Sequence, residues 1–243
     1  MKLIKLDAID STNDFLKELL TTNNPENFTV VTAEAQTRGK GQMGSIWVSE
    51  KGKNLTVSIL VKDFLFDVSQ IYNLNIAVAL AVVTVLETCN IPGLSIKWPN
   101  DIMSDHKKVG GILIENVIKG ATKIDSIVGI GLNVNQADFD GLPKASSLSL
   151  VANTIFDKDE LLRKIVEEIK KNITKLNEDK SAELWQSYTD FLFKKGVPMP
   201  FENASGQRFM GIVQGVSKIG QLELLLENDT IKTFGIKEIQ MLY

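Results

Sequence analysis

Five consecutive residues, Lys97-Trp98-Pro99-Asn100-Asp101, bring a cation, a large ring, a rigid turn, an amide and a carboxylate together at a strand end. Asn-Asp after Pro suits a turn by itself. Turn chemistry leaves the lysine and the tryptophan unaccounted for. Further on, Lys107-Lys108-Val109-Gly110-Gly111-Ile112-Leu113-Ile114-Glu115 sets a lysine pair before two glycines and an apolar run. Lys108 so placed points into a cleft or, more plainly, into solvent. Upstream, Gln36-Thr37-Arg38-Gly39-Lys40-Gly41-Gln42-Met43-Gly44-Ser45 is rich in glycine, with Trp47 just beyond. Glycines let a backbone approach a ligand, and successive N–H groups cradle an anion. Arg38 and Lys40 add positive charge, although the spacing is neither that of a Walker loop nor of a dinucleotide fingerprint. A solvated hairpin is the plain alternative. The fourth candidate is Gly129-Ile130-Gly131-Leu132-Asn133-Val134-Asn135. Mid-strand glycines weaken a sheet unless something must come close to the backbone or a bulge is intended.

Other chemistries are excluded by what is scarce. The chain has 1 His and 1 Cys, so neither a multi-histidine zinc site nor an internal disulfide is available. A Ser-His-Asp system would have to run through His106, which sits in the turn-like Ser104-Asp105-His106-Lys107. Cys89 follows an apolar helical run and reads as packing. The net charge of −3 argues against a general nucleic-acid binder, which needs a basic face. The amino terminus is too polar for a secretory signal, and no stretch is expected to reach the roughly 18 apolar residues of a membrane span. These features point to a cytoplasmic protein with no DNA and no membrane among its partners. Hydrophobic residues make up 44% and charged residues 23%, values of an ordinary globular chain.

Regular elements must position these segments. Residues 1–10 read as a strand, followed by a helix capped by Ser11 or Thr12, with Phe15, Leu16, Leu19 and Leu20 on its apolar face. Residues 28–35 read as a second strand. Leu55, Val57, Ile59 and Val61 alternate with Thr56, Ser58 and Lys62, which predicts a half-buried strand. Residues 71–86 form the strongest helical pattern and 95–98 a short strand. Residues 108–118 and 123–134 form a hairpin around Lys119-Gly120. Asp157 and Glu160 resemble a capping box opening a helix, and a further helix carries Leu184, Trp185, Tyr188 and Leu192. After about Lys195 the texture changes to short runs punctuated by glycine: 209–213, 222–226 and 236–242. The reading is an α+β domain over 1–194 and a small β-barrel domain over 195–243.

Together with Ser11-Thr12-Asn13, the four segments resemble, in order and interval, the biotin–protein ligases, and the resemblance covers essentially the whole chain. Lys97-Trp98-Pro99-Asn100-Asp101 is its most specific motif. The resemblance implies a mixed biotin/lipoate-ligase-like sheet with flanking helices and an SH3-like C-terminal barrel. It implies formation of biotinyl-5′-AMP from biotin and ATP, then transfer of biotin to a lysine of a biotin carboxyl carrier domain. Catalysis would rest on Lys108, Lys97 and Asp101. Biotin would be held by Ser11, Thr12, Asn13, Gln36, Lys40, Gly41, Gln42, Lys108, Gly129 and Gly131. The nucleotide would meet Arg38, Gly39, Lys40, Trp47, Lys97, Asn100, Asp101 and Asn133, with Mg²⁺ carried on its phosphates. The chemistry is coherent: two anions meet when a carboxylate attacks a phosphate, and lysines with Mg²⁺ screen them. The adenylate is itself the activated acyl group, so no enzyme nucleophile is required.

The loop departs from the family's common Gly-Arg-Gly-Arg-Arg-Gly-Arg. Here Lys40 keeps one charge, while Gln42 and Ser45 keep none. Some relatives carry an N-terminal helix-turn-helix domain; with the first motif at Ser11, a monofunctional type is expected. A lipoate or octanoate transferase is the alternative enzyme, and a homodimer is left open.

Overall fold

The computed structural model describes residues 2–65, 71–119, 123–178 and 180–243. Gly120, in the turn read at Lys119-Gly120, lies outside them. Seven strands form one sheet in the order β1-β2-β3-β7-β6-β5-β4. These are Leu3–Ile9 (β1), Val30–Gln36 (β2), Leu55–Leu65 (β3), Leu94–Lys97 (β4), Asp101–Ser104 (β5), Lys107–Lys119 (β6) and Lys123–Leu132 (β7). Only β1 and β2 run parallel, joined through helix α1, Thr12–Asn23. The other neighbours are antiparallel, so the sheet is mixed.

The two faces of this sheet differ. Leu55, Val57, Ile59 and Val61 of β3 join Val128, Ile130 and Leu132 of β7 on one face. Helices α2 (Ile71–Thr88), α4 (Lys158–Asn177) and α5 (Ser181–Asp190) cover it. By length and composition α2 could cross a membrane, contrary to the sequence expectation. Yet Leu74 and nearly every residue from Ile76 to Leu86 are buried, which makes α2 a core helix. The opposite face carries α1, whose Leu16 and Leu20 pack on Val31, Leu60 and Ile127. Burial there overturns the half-buried reading of β3, since Thr56 is 3% exposed and Ser58 0%. The polar alternation was real. Its polar side meets the start of α1 rather than water.

Asp157 caps α4 by accepting from the N–H groups of Asp159 and Glu160. Glu160 does not complete a capping box; its carboxylate pairs with Lys164 one turn on. Strand β5 and the short helix α3, Leu148–Ala152, have no counterpart in the sequence reading.

A second, five-stranded antiparallel sheet is ordered β11-β10-β9-β8-β12. Its strands are Pro198–Asn203 (β8), Arg208–Val216 (β9), Leu222–Leu226 (β10), Ile231–Phe234 (β11) and Ile239–Met241 (β12). Strands β8 and β11 were not anticipated; two prolines obscure β8, and β11 is exposed along three of its four residues. The turn between β9 and β10 packs on Trp98 and α5. There the Trp98 indole N–H donates to the Gly220 carbonyl at 2.9 Å, and the Lys218 ammonium lies 4.4 Å from the Trp185 ring centre. Trp98 is therefore one joint between the two sheets. Trp98→Phe should lower stability by about 1 kcal/mol, the net value of a typical hydrogen bond. Chemical denaturation read by circular dichroism checks this, and an unchanged midpoint would remove Trp98 from the joint.

Candidate active site

A cavity of about 310 Å³ opens where the α1 face of the sheet meets the glycine-rich loop. Its floor follows from strand register. Gly131 of β7 pairs with Thr56 of β3 on one side and Gly111 of β6 on the other, while Gly129 pairs with Ser58 and Leu113. Asp101 of β5 faces Gly111 at the next strand. The same face that carries Leu60 and Ile127 under α1 thus becomes bare and polar toward the strand ends. The loop closes over it as a narrow hairpin, with Trp47 N–H donating to Gly39 O and Gly41 N–H to Ser45 O. Trp47 lies flat against Gly131, where a Cβ would come within 2.5 Å of the indole. Its buried indole N–H has no hydrogen-bond partner among the described residues.

One end of the cavity is neutral and polar. Ser11 caps α1, and its side chain accepts from Asp14 N–H. The Gln36 Oε1 accepts from Thr12 N–H at 2.8 Å and lies 3.1 Å from Thr12 Oγ1. The Thr12 N–H fixes this oxygen, so the Gln36 NH₂ is left for a ligand.

The other end is charged. Asp101 lies between two lysines: its Oδ1 is 2.6 Å from Lys108 Nζ, and its Oδ2 is 3.7 Å from Lys97 Nζ. Burial pushes the Lys97 ammonium below its ordinary pKa, Asp101 opposes that shift, and Lys108 and Lys144 add to it. Asn100 holds the turn by donating its side-chain N–H to Ile112 O at 2.6 Å, while its own carbonyl accepts from Ile112 N–H.

The sequence matches the profile of the biotin/lipoate A/B protein ligase family over residues 6–133. It is also 32% identical to the bifunctional ligase/repressor BirA of Bacillus subtilis, across 98% of this chain and 74% of that one. The chain belongs to this family. A Bacillus spizizenii ligase/repressor of the same name is 35% identical, and the match spans 51% of its length. Among solved structures, the biotin protein ligase of Aquifex aeolicus in complex with biotin and ATP superposes with a TM-score of 0.81. It is 29% identical, with 99% of this chain and 98% of that chain covered.

Most of the ligase residues anticipated from sequence do converge. Ser11, Thr12, Asn13 and Gln36 line the cavity from α1 and β2; Lys40, Gly41, Gln42 and Trp47 from the loop; Gly129 and Gly131 from the floor; Asn100, Asp101 and Lys108 from the charged end. Four do not line it. Arg38 is 80% exposed at its side chain and pairs with Asp10, because the loop turns it outward. Gly39 is wedged against the Trp47 carbonyl. Lys97 approaches only from behind Asp101, beside the Tyr243 ring. Asn133 is buried and donates to Ser146 O, bracing the segment after β7. Lys40 reaches the cavity, yet its ammonium is 2.6 Å from Asp14, and that hydrogen bond raises its pKa. His106 stays in its turn, edge-on to Phe193. Sequence reasoning missed Thr56, whose alternation looked solvent-facing, and left Gly111 without a role although its motif was noted. It had no signal for Ile236 and Lys237, which reach the cavity from the second sheet, where Lys237 Nζ donates to Met43 O at 3.0 Å.

The lowered Lys97 pKa has a thermodynamic consequence. A folded-state pKa below the unfolded one means the protonated lysine opposes folding at neutral pH. That penalty fades as pH rises from the folded value toward 10.5. Lys97→Met should therefore be stabilised relative to the wild type at neutral pH and lose that advantage near pH 10.5. Urea unfolding of both proteins across this range checks it; a constant difference would mean that burial of Lys97 carries no proton linkage.

Proposed function

We propose that this chain is a biotin–protein ligase. It joins biotin and ATP as biotinyl-5′-AMP with release of pyrophosphate, then transfers biotin to a lysine of a biotin carboxyl carrier domain with release of AMP. One observation carries the reading: a single cavity has a neutral hydrogen-bonding end at Thr12 and Gln36 and a cationic end at Lys108. Biotin has the same two ends, a cyclic urea and a carboxylate. The ligase of Mycobacterium tuberculosis that acts on acetyl-CoA carboxylase, 27% identical over 83% of this chain, supports a carboxylase carrier as acceptor.

In the first step a biotin carboxylate oxygen attacks the α-phosphorus, and the bond from that phosphorus to the bridging oxygen breaks. Lys108 screens the two approaching anions, and Asp101 holds its ammonium in place. Lys97 supports the cluster from behind through the same carboxylate. The buried Trp47 N–H and the loop backbone offer donors to the adenylate. Mg²⁺ would enter on the phosphates of ATP, the usual mode for this ion. In the second step the acceptor amine attacks the acyl carbon, the bond to AMP breaks, and the amine loses its proton to solvent water. Asp101 is taken up by two lysines, which suits it to positioning Lys108. Residues 1–194 carry this chemistry, and 195–243 supply Lys237 to the loop. A cytoplasmic location fits the free thiol of Cys89.

The lipoate alternative fails on the neutral end. A dithiolane ring has no donors or acceptors of amide strength, so the Gln36 NH₂ would be left unpaired, a strong ground for rejection. Incubation with MgATP, a carrier domain and either biotin or lipoate separates the two: an avidin-reactive product is expected from the first and no lipoylated product from the second. Lys108→Ala should slow biotin-dependent pyrophosphate release by roughly 100- to 1000-fold, as for loss of one preorganised donor. Supplied biotinyl-AMP should restore most of the transfer rate to that variant. An unchanged rate of pyrophosphate release would take Lys108 out of the first step.

A further inference from the structure

Asn13, in the first turn of α1, is buried, and both ends of its amide are engaged. Its Nδ2 donates to Glu115 Oε2 at 2.7 Å, and its Oδ1 accepts from Ser58 Oγ. The other Glu115 oxygen is paired with Lys17. Ser58 Oγ lies 2.8 Å from Thr12 Oγ1, which in turn approaches Gln36 Oε1. The hydrogens in this chain of groups are not free to choose. A carboxylate only accepts, so Asn13 must turn its NH₂ to Glu115 and its oxygen to Ser58. Ser58 has one proton, which goes to Asn13, so it can only accept from Thr12. Thr12 then has its proton turned away from the cavity and presents a lone pair to the ligand. Gln36, with its oxygen held by Thr12, presents its NH₂.

We propose that Glu115 is a positioning residue that sets the donor–acceptor polarity of the ring-binding end of the cavity, acting through Asn13, Ser58 and Thr12. This rests on the biotin reading: a cyclic urea needs an acceptor for N–H and a donor for C=O, as this polarity provides. Asn13 is on this account a relay and not a ligand. Gly129 serves the relay too, since a Cβ there would lie 2.6 Å from Asn13 Oδ1. Lys17 keeps the carboxylate turned inward.

The arrangement permits a test by exchanging donor and acceptor. In Asn13→Asp two carboxylates face each other and the link to Glu115 is lost. In Glu115→Gln the new amide cannot serve Asn13 and Lys17 together, because both now require its single oxygen. In the double variant Asn13→Asp/Glu115→Gln the new amide donates its N–H to the new carboxylate and accepts from Lys17 through its oxygen, while Ser58 still finds an acceptor. Biotin affinity is measured by titration calorimetry, with ATP affinity as the control for an intact fold. Asn13→Asp should weaken biotin by about 30-fold and Glu115→Gln by about 5-fold, the range of one unsatisfied or uncharged hydrogen bond. The double variant should recover to within about 5-fold of the wild type, and ATP affinity should stay within about 2-fold throughout. A double variant that binds ATP normally but binds biotin no better than Asn13→Asp overturns the assignment. So does Glu115→Gln with unchanged biotin affinity, a variant close enough in shape to fold. Wild-type protein that fails to bind biotin would instead sink the functional reading, on which the assignment rests.

Discussion

The charged end of the cavity depends on one carboxylate that keeps two lysines together. Like charges brought this close and partly out of water repel strongly, and burial weakens each ammonium's hydration. Asp101 makes the pair tolerable before any anionic substrate arrives. The rest of the architecture can be read outward from that need. Strand β5 exists to bring Asp101 opposite Gly111, a hairpin returns Lys108 to the same edge, and the turn that Asn100 pins keeps Lys97 behind both.

Much of this was legible in the amino-acid sequence. Strongly periodic segments such as α2 and α4 declared themselves, because their apolar spacing reflects burial on one continuous core. The motif residues also drew notice, although each segment taken alone had a plain structural alternative. What escaped had a common physical origin: long-range placement. Thr56 and Ser58 looked like a wet strand face because period-2 alternation cannot tell water from a buried polar site. Arg38 and Asn133 belonged to the right segments, but a motif does not say which way each side chain turns. The tryptophan of the central motif was singled out correctly as more than a turn residue, and its task proved to be joining two sheets. Nothing local to Ile236 or Lys237 announces that the second sheet folds back onto the loop.

Lys97 and Trp98 show how tightly the two tasks are interleaved. Adjacent along the chain, one supports the charged cluster and the other fastens the β9–β10 turn. The Tyr243 ring, beyond β12, lies 5.1 Å from the Lys97 ammonium, so both ends of the second sheet bear on this short stretch. The second sheet is thereby tied to the charged end of the cavity.

The bare floor of the cavity limits how the site could be altered to take larger molecules. Gly111, Gly129 and Gly131 have no side chains to remove, and the space above them is already taken by Lys108, Asn13 and Trp47 respectively. Substitution in the floor can therefore only shrink the site. Any accommodation of a bulkier ligand, by selection or by engineering, has to come from the roof, and within the roof Trp47 is the piece with volume to give up.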